Sequence, residues 1–101
     1  MCHEALAKWY FWLGMYYVYI LQLSNNTYYI GYSSELRQRV VAHINGDVPQ
    51  TREKRPLTLV FYAAFVSKKK ALDFEAYLKT GSGFSFRNRH LISEITSLRN
   101  V

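Results

Sequence analysis

Cysteine is almost missing from this chain, with Cys2 the only one among 101 residues. An internal disulfide is therefore impossible, and a zinc site built from cysteines is excluded. A reducing, cytoplasmic setting suits such a chain. Acidic residues are scarce as well, seven against thirteen Lys and Arg, which leaves a formal net charge of +6 and a pI near 9.6. That imbalance favours a polyanionic partner, either nucleic acid or an anionic membrane surface. No clean apolar run of membrane length supports the second. The segment Ala5–Leu23 comes nearest, but Lys8 interrupts it and Tyr17-Val18-Tyr19-Ile20 reads as a strand. No small-residue cleavage site follows it, as a signal peptide would need. Repeats and low-complexity tracts are lacking, and so is any zinc-finger or helix-turn-helix pattern. Strong sequence specificity is not expected from this chain alone.

What is present is a core's worth of apolar residues. Half of the chain is hydrophobic, and splitting it in two would leave cores too small to be stable. Residues 1–14 differ from the rest, with Trp9, Tyr10, Phe11 and Trp12 ahead of Gly14 and with Met15 as an alternative start. They read as an N-terminal extension, and residues 15–98 as one domain. Tyr16–Leu23 is expected to be a strand, Ser24–Thr27 a turn and Thr27–Gly31 a second strand, which makes a β-hairpin. Ser33 or Ser34 should cap a helix with Glu35 in its first turn. Leu36, Val40, Val41 and Ile44 form its apolar stripe, and Gly46 marks its end. After the basic loop Thr51–Pro56 comes a strand, Leu57–Phe65. Ser67 should cap a second helix that runs to about Lys79, closed by Gly81-Ser82-Gly83, and residues 84–98 read as a third. The order ββαβαα implies an α+β domain with a three-stranded, mainly antiparallel sheet flanked by helices.

Several residues sit where chemistry could happen. Arg39 and His43 are four apart and share a helical face just beside the apolar stripe, so they border the core. The competing reading is a rim arginine with its stem on apolar surface and a histidine that caps a contact. Glu75 has apolar Ala71, Leu72 and Leu78 one turn away on either side. Its carboxylate therefore needs a cation, an arginine or a metal. A plain Glu75–Lys79 pair is the competing explanation.

Tyr17 and Tyr19 alternate onto one face of the first strand. A two-residue Asn25-Asn26 loop would put Tyr29 on the opposite face. A three-residue Ser24–Asn26 loop would put it on the same face, with Asn26 tolerating the left-handed conformation such a loop needs. Gly31 then leaves little bulk beside that face. Aromatic ladder packing across the hairpin is the structural alternative for these tyrosines.

Tyr17-Val18-Tyr19, nine residues, then Tyr29-Ile30-Gly31 resembles the GIY-YIG motif. Arg39 stands eight residues after Gly31, where the family has its arginine, and His43 one turn later matches a common histidine or tyrosine. Glu75 matches the metal-binding glutamate on the next long helix. The run Phe74–Leu91 is similar to small bacterial stand-alone members related to the excinuclease C nuclease domain. The resemblance covers residues 15–92. Tyr17 departs from it, standing where the motif has Gly. Many members also place a polar residue, often Asn, near the metal. Asn88 is the nearest candidate, but its surroundings do not match and no role is carried over.

The resemblance implies a phosphodiester hydrolase that uses one divalent metal, usually Mg²⁺, with Mn²⁺ as the substitute. Glu75 would hold the metal, whose preference for hard oxygen suits one carboxylate plus waters and phosphate. Arg39 would brace the phosphate. Tyr19 would act as general base, with Tyr29 or His43 orienting the water or the phosphate, and nearby cations would have to depress its pKa. Nucleic acid, DNA above all, is the expected partner, and repair or recombination the expected setting. Gly31, Arg37, Lys54, Arg55, Lys68, Lys69, Lys70, Lys79 and Arg87 are the expected contacts to it. Lys68–Lys70 oppose a helix dipole, which a bound phosphate would relieve. The competing functions are a non-catalytic nucleic-acid-binding module on the same fold and a basic structural or partner-binding domain.

Overall fold

The computed structural model describes residues 14–92. The N-terminal extension and the last part of the expected third helix lie outside the described residues, apart from Gly14. Strand β1 (Tyr16–Gln22) pairs antiparallel with β2 (Tyr28–Ser33) on one side and with β3 (Thr58–Phe65) on the other, giving the order β2-β1-β3. Three helices complete the ββαβαα order: α1 (Leu36–Asn45), α2 (Lys68–Leu78) and α3 (Gly81–Phe86). A π-helical turn, Arg87–Ile92, continues directly from α3. The α+β class expected from the element order is the observed one. No helix among the described residues is long and apolar enough to cross a membrane.

The hairpin loop resolves the register. Leu23 N–H donates to Thr27 O and Asn26 N–H to Leu23 O, so Ser24, Asn25 and Asn26 form a three-residue loop. Asn26 takes the left-handed conformation, φ 65°, which its short polar side chain tolerates. Leu21 therefore lies opposite Tyr29. Because side chains alternate along a strand, Tyr19, Leu21 and Tyr29 share one face.

The sheet buries both faces. Val18, Ile20 and Ile30 pack with Ala71, Leu78 and Ile92 on the α2 side, where Phe65 and Phe74 rings meet at 5.5 Å. A bulge in β3 opposite Ile20–Leu21 lets Val60 and Phe61 both join this core. Tyr19, Leu21 and Leu23 form the second cluster on the other face, with Tyr29, Leu36, Leu57 and Leu59 around them.

Local signals at the helix ends are partly as read. Gly46 ends α1 with φ 82°, the left-handed cap that glycine adopts without strain. Ser67 caps α2 by accepting from Lys70 N–H. At the start of α1, however, Glu35 occupies the cap position and no side chain caps the helix; Ser33 Oγ instead accepts from Glu35 N–H. Gly81-Ser82-Gly83 does not close α2 but opens α3, because Thr80 Oγ1 caps it by accepting from Gly83 N–H. Gly83 rests on the Tyr77 carbonyl, where a Cβ would collide. The basic loop holds a short 3₁₀ turn, Arg52–Lys54, and β3 begins at Thr58 instead of Leu57.

The largest correction concerns the stripe of α1. Val41 and Ile44 are 47% and 54% exposed, whereas His43 is fully buried. The helix is turned so that His43 joins Leu36 against the sheet, while Val41 and Ile44 face solvent. On α2, Leu72 is likewise exposed, and Ala71, Phe74 and Leu78 form the inward face.

Candidate active site

Tyr19 occupies the middle of the central strand with its ring fully buried. Its hydroxyl lies over Gly31 on β2, the directly opposed residue. A Cβ at Gly31 would sit 2.4 Å from the Tyr19 Oη, so only glycine lets the phenol reach this position. Gly31 is thus a packing partner of the site and is itself buried, not a surface contact.

The turned α1 brings His43 to the same point. Tyr19 Oη and His43 Nε2 are 2.9 Å apart, and His43 Nδ1 is 2.7 Å from Thr51 Oγ1. The Tyr29 ring lies edge-on to His43, with centres 5.0 Å apart. Thr51 is fully buried and was not singled out by the sequence, where it is one polar residue at the head of a basic loop. Nothing local distinguishes it; the fold of the α1–β3 connection places it under the imidazole.

Arg39, one turn before His43, remains exposed. Its guanidinium interacts with the hydroxyls of both Tyr19 and Tyr29. Arginine only donates, so the Tyr19 oxygen facing it is left to give its own hydrogen to His43 Nε2. In that arrangement His43 carries its hydrogen on Nδ1 and donates to Thr51 Oγ1, an assignment that follows from the network.

Electrostatics support the same chain. Burial, reinforced by the positive Arg39, lowers the His43 pKa, so the imidazole is neutral near pH 7. Burial raises the Tyr19 pKa, and the pull of Arg39 in the opposite direction does not cancel it. The expected depression of Tyr19 by nearby cations is therefore absent from the free protein. His43 Nε2, 2.9 Å away, is the neutral nitrogen that faces this hydroxyl.

Glu75 approaches from α2. Its charge is felt by the Tyr19 hydroxyl, which it makes harder to ionise. The side chain is 21% exposed, and Lys79 Nζ stands 3.4 Å from Oε2. The pair with Lys79 is thus present but long, and an exposed lysine is easily displaced. No group of three or more His, Cys, Asp or Glu is close enough to hold a metal among the described residues. One reachable carboxylate, with oxygen from waters and a phosphate, still meets the needs of a hard divalent cation.

The expected nucleic-acid contacts are carried by several elements. Arg55 donates from Nε to Arg52 O and from Nη1 to Ile44 O, so it helps tie down the end of α1. Lys54 lies beside it in the 3₁₀ turn and Arg37 on the exposed side of α1. Lys68, Lys69 and Lys70 begin α2, with Lys69 paired to Asp73 at 2.9 Å. Lys79 follows that helix's other end, roughly 15 Å away at the rise of an α-helix. Arg87, expected at a surface helix start, is buried.

A domain of this topology, with two tyrosines, an arginine and a histidine gathered beside a carboxylate, defines a nuclease-type family. The GIY-YIG catalytic domain model matches residues 15–88, and the chain belongs to that family. Among its relatives, a UPF0213 protein of Streptococcus pneumoniae is 38% identical over 64 residues, 62% of this chain and 65% of the relative. A UPF0213 protein of Halobacterium salinarum is 38% identical over 66 residues, covering 64% of this chain and 86% of that one. The chain thus spans just under two thirds of the streptococcal relative's length. The solution NMR structure of a UPF0213 protein from Bacillus halodurans shares 35% identity, with a TM-score of 0.44 over 64% of this chain and 70% of that one.

Proposed function

We propose that this chain is a metal-dependent endonuclease that hydrolyses phosphodiester bonds in DNA. The observation that carries this reading is the joining of Tyr19, His43 and Arg39 on one sheet face with a carboxylate, Glu75, close enough to act on Tyr19. A divalent ion held by Glu75, waters and phosphate oxygens would supply charge neutralisation at the scissile group.

The chain's own residues do the rest. Arg39 is the exposed cation over the tyrosine hydroxyls and braces a phosphate as negative charge builds on it. Tyr19 takes a proton from the attacking water while passing its own to neutral His43. The new P–O bond forms from that water, and the leaving oxygen departs with the electron pair of the broken P–O bond. Thr51 keeps Nε2 aimed at Tyr19 by holding Nδ1. Tyr29 packs against the imidazole and limits its rotation. This relay answers the raised Tyr19 pKa, because the phenol never has to ionise into solvent.

The Glu75–Lys79 contact favours the competing reading, a non-catalytic DNA-binding module. Replacing Glu75 with Gln separates the two. Labelled duplex, branched and single-stranded DNA are incubated in Mg²⁺, Mn²⁺ and EDTA, beside a thermal melt and a binding titration. Cleavage by the variant should fall by several orders of magnitude, while metal-free DNA binding stays equal or tightens. Full cleavage by a folded Glu75→Gln protein removes the metal-ligand role.

A further inference from the structure

At the β2 edge an open pocket of about 390 Å³ is lined by Tyr28, Tyr29, Leu78, Lys79, Phe84 and Arg87, among others. Arg87 is the member that packing alone does not explain. Only 7% of the residue is exposed, yet no carboxylate pairs with it among the described residues. Its guanidinium carbon lies 4.4 Å from the Phe84 ring centre and 5.2 Å from that of Tyr28. Nε reaches Asn88 Oδ1 at a long 3.4 Å, and neither Nη group has an acceptor among the described residues. Arginine cannot shed its charge, and its unpartnered Nη groups are not sealed in the interior, so they open on the pocket, where an anion can pair with them. Its planar fork suits two oxygens of one phosphate.

The rest of the pocket agrees. Lys79 supplies a second cation, now lent loosely to Glu75 at 3.4 Å. Tyr29 lines the pocket and also packs its ring on His43, so one residue is shared by the pocket and the candidate active site.

We propose that this pocket is a phosphate subsite, in which Arg87 and Lys79 hold a backbone phosphodiester of the bound strand next to the one at Tyr19, Arg39 and Glu75. The proposal deepens the nuclease reading and rests on it for the identity of the strand.

The test is binding in EDTA, where no cleavage is needed. Inorganic phosphate is first titrated into the full chain while the Arg87 Nε–H resonance is followed by NMR; a saturable shift is expected. Single-stranded 12-mers bearing a 5′-phosphate or a 5′-hydroxyl are then bound to the wild-type and Arg87→Met proteins over a range of salt. Methionine keeps an apolar stem between the rings. Affinity for both 12-mers should fall roughly tenfold, and the salt slope should lessen by about 0.7, the share of one single-strand phosphate. A loss confined to the 5′-phosphorylated 12-mer would replace the internal diester with a terminal monoester. An unmoved Arg87 resonance, or a folded variant with unchanged affinity and slope, overturns the subsite. Should Arg87→Met fail to fold, the wild-type titration and the exposed Lys79→Ala variant decide, the latter expected to weaken binding several-fold. Because none of these readouts is cleavage, they stand apart from the Glu75→Gln result: a loss of the nuclease reading leaves the phosphate shift intact, and the reverse also holds.

Discussion

Facing α2, the sheet buries Val18, Ile20 and Ile30 against Ala71 and Leu78; facing α1, the same strands bury Tyr19 against His43 and Thr51. The first face is aliphatic and aromatic, and each fully buried side chain there contributes about 1.5–3 kcal/mol. The second contains a hydrogen-bonded chain whose net gain is only about 0.5–1.5 kcal/mol per bond. Adjacent residues of one strand, Tyr19 and Ile20, thus serve different ends. α1 even leaves Val41 and Ile44 in solvent while turning an imidazole inward. Both faces bury apolar side chains, Leu21 and Leu23 among them on the α1 side, but the α1 face also carries the hydrogen-bonded chain.

Paired substitutions in β1 test that division most sharply. Tyr19→Phe should lower cleavage by about 10²–10⁴-fold, the usual weight of a proton-transfer group, with a stability loss of only about 1–3 kcal/mol from the unpaired His43 nitrogen. Ile20→Ala should do the reverse: a loss of about 2–5 kcal/mol, with activity per folded molecule nearly unchanged. Cleavage rates normalised to folded fraction by a thermal melt read both. If Tyr19→Phe cleaves at the wild-type rate, the relay is wrong.

Thr51 carries a smaller effect. Thr51→Val removes only the hydroxyl that holds His43 Nδ1, at about 1–3 kcal/mol for an unsatisfied buried donor. Cleavage should fall about tenfold, as expected when a catalytic group loses its orientation, and Thr51→Ser should restore it. Full activity in Thr51→Val with a loss in Thr51→Ser would mean that the methyl group's packing matters, not the bond.

The pH dependence should be the mildest effect. Burial and Arg39 place the folded-state pKa of His43 below its ordinary value of about 6.5. The unfolded chain therefore takes up a proton there that the folded chain refuses. His43 should add full stability above about pH 6.5, and that share should fade as pH drops toward the folded-state value. Melts at pH 7.5, 6.5 and 5.5 should show the decline at about 4–8 °C per kcal/mol for a domain of this size. A His43→Gln protein should show a flatter slope. The same protonation removes the acceptor for Tyr19, so cleavage should decline over the same interval.

Much of this molecule is legible in short stretches of sequence. Asn26 tolerates the left-handed loop position, Gly46 the left-handed helix end, and Ser67 caps α2, each through chemistry confined to a few residues. Strand alternation with a three-residue loop then carries Tyr19 and Tyr29 to one face. The motif order points to the family whose model the chain matches.

Other features depend on distant partners. The aliphatic stripe of α1 points to a buried Val41 and Ile44, but the helix turns by its fit to Tyr19 and Thr51, residues 24 and eight positions from His43. Gly81-Ser82-Gly83 has the composition of a helix stop; Thr80 and the close approach to Tyr77 make it a start. Arg87 reads as a surface charge until Phe84 and Tyr28 enclose it. The sequence by itself determined the element order, the hairpin register once the loop length was known, and the family to which the chain belongs, because turns, caps and strand alternation act over a few bonds. Only the tertiary structure decided which of the candidate groups are buried, which nitrogen of His43 faces Tyr19, and that Thr51 and Arg87 belong beside them. Burial and hydrogen-bond partnership are set by which segments meet across the sheet, and no local pattern encodes that meeting.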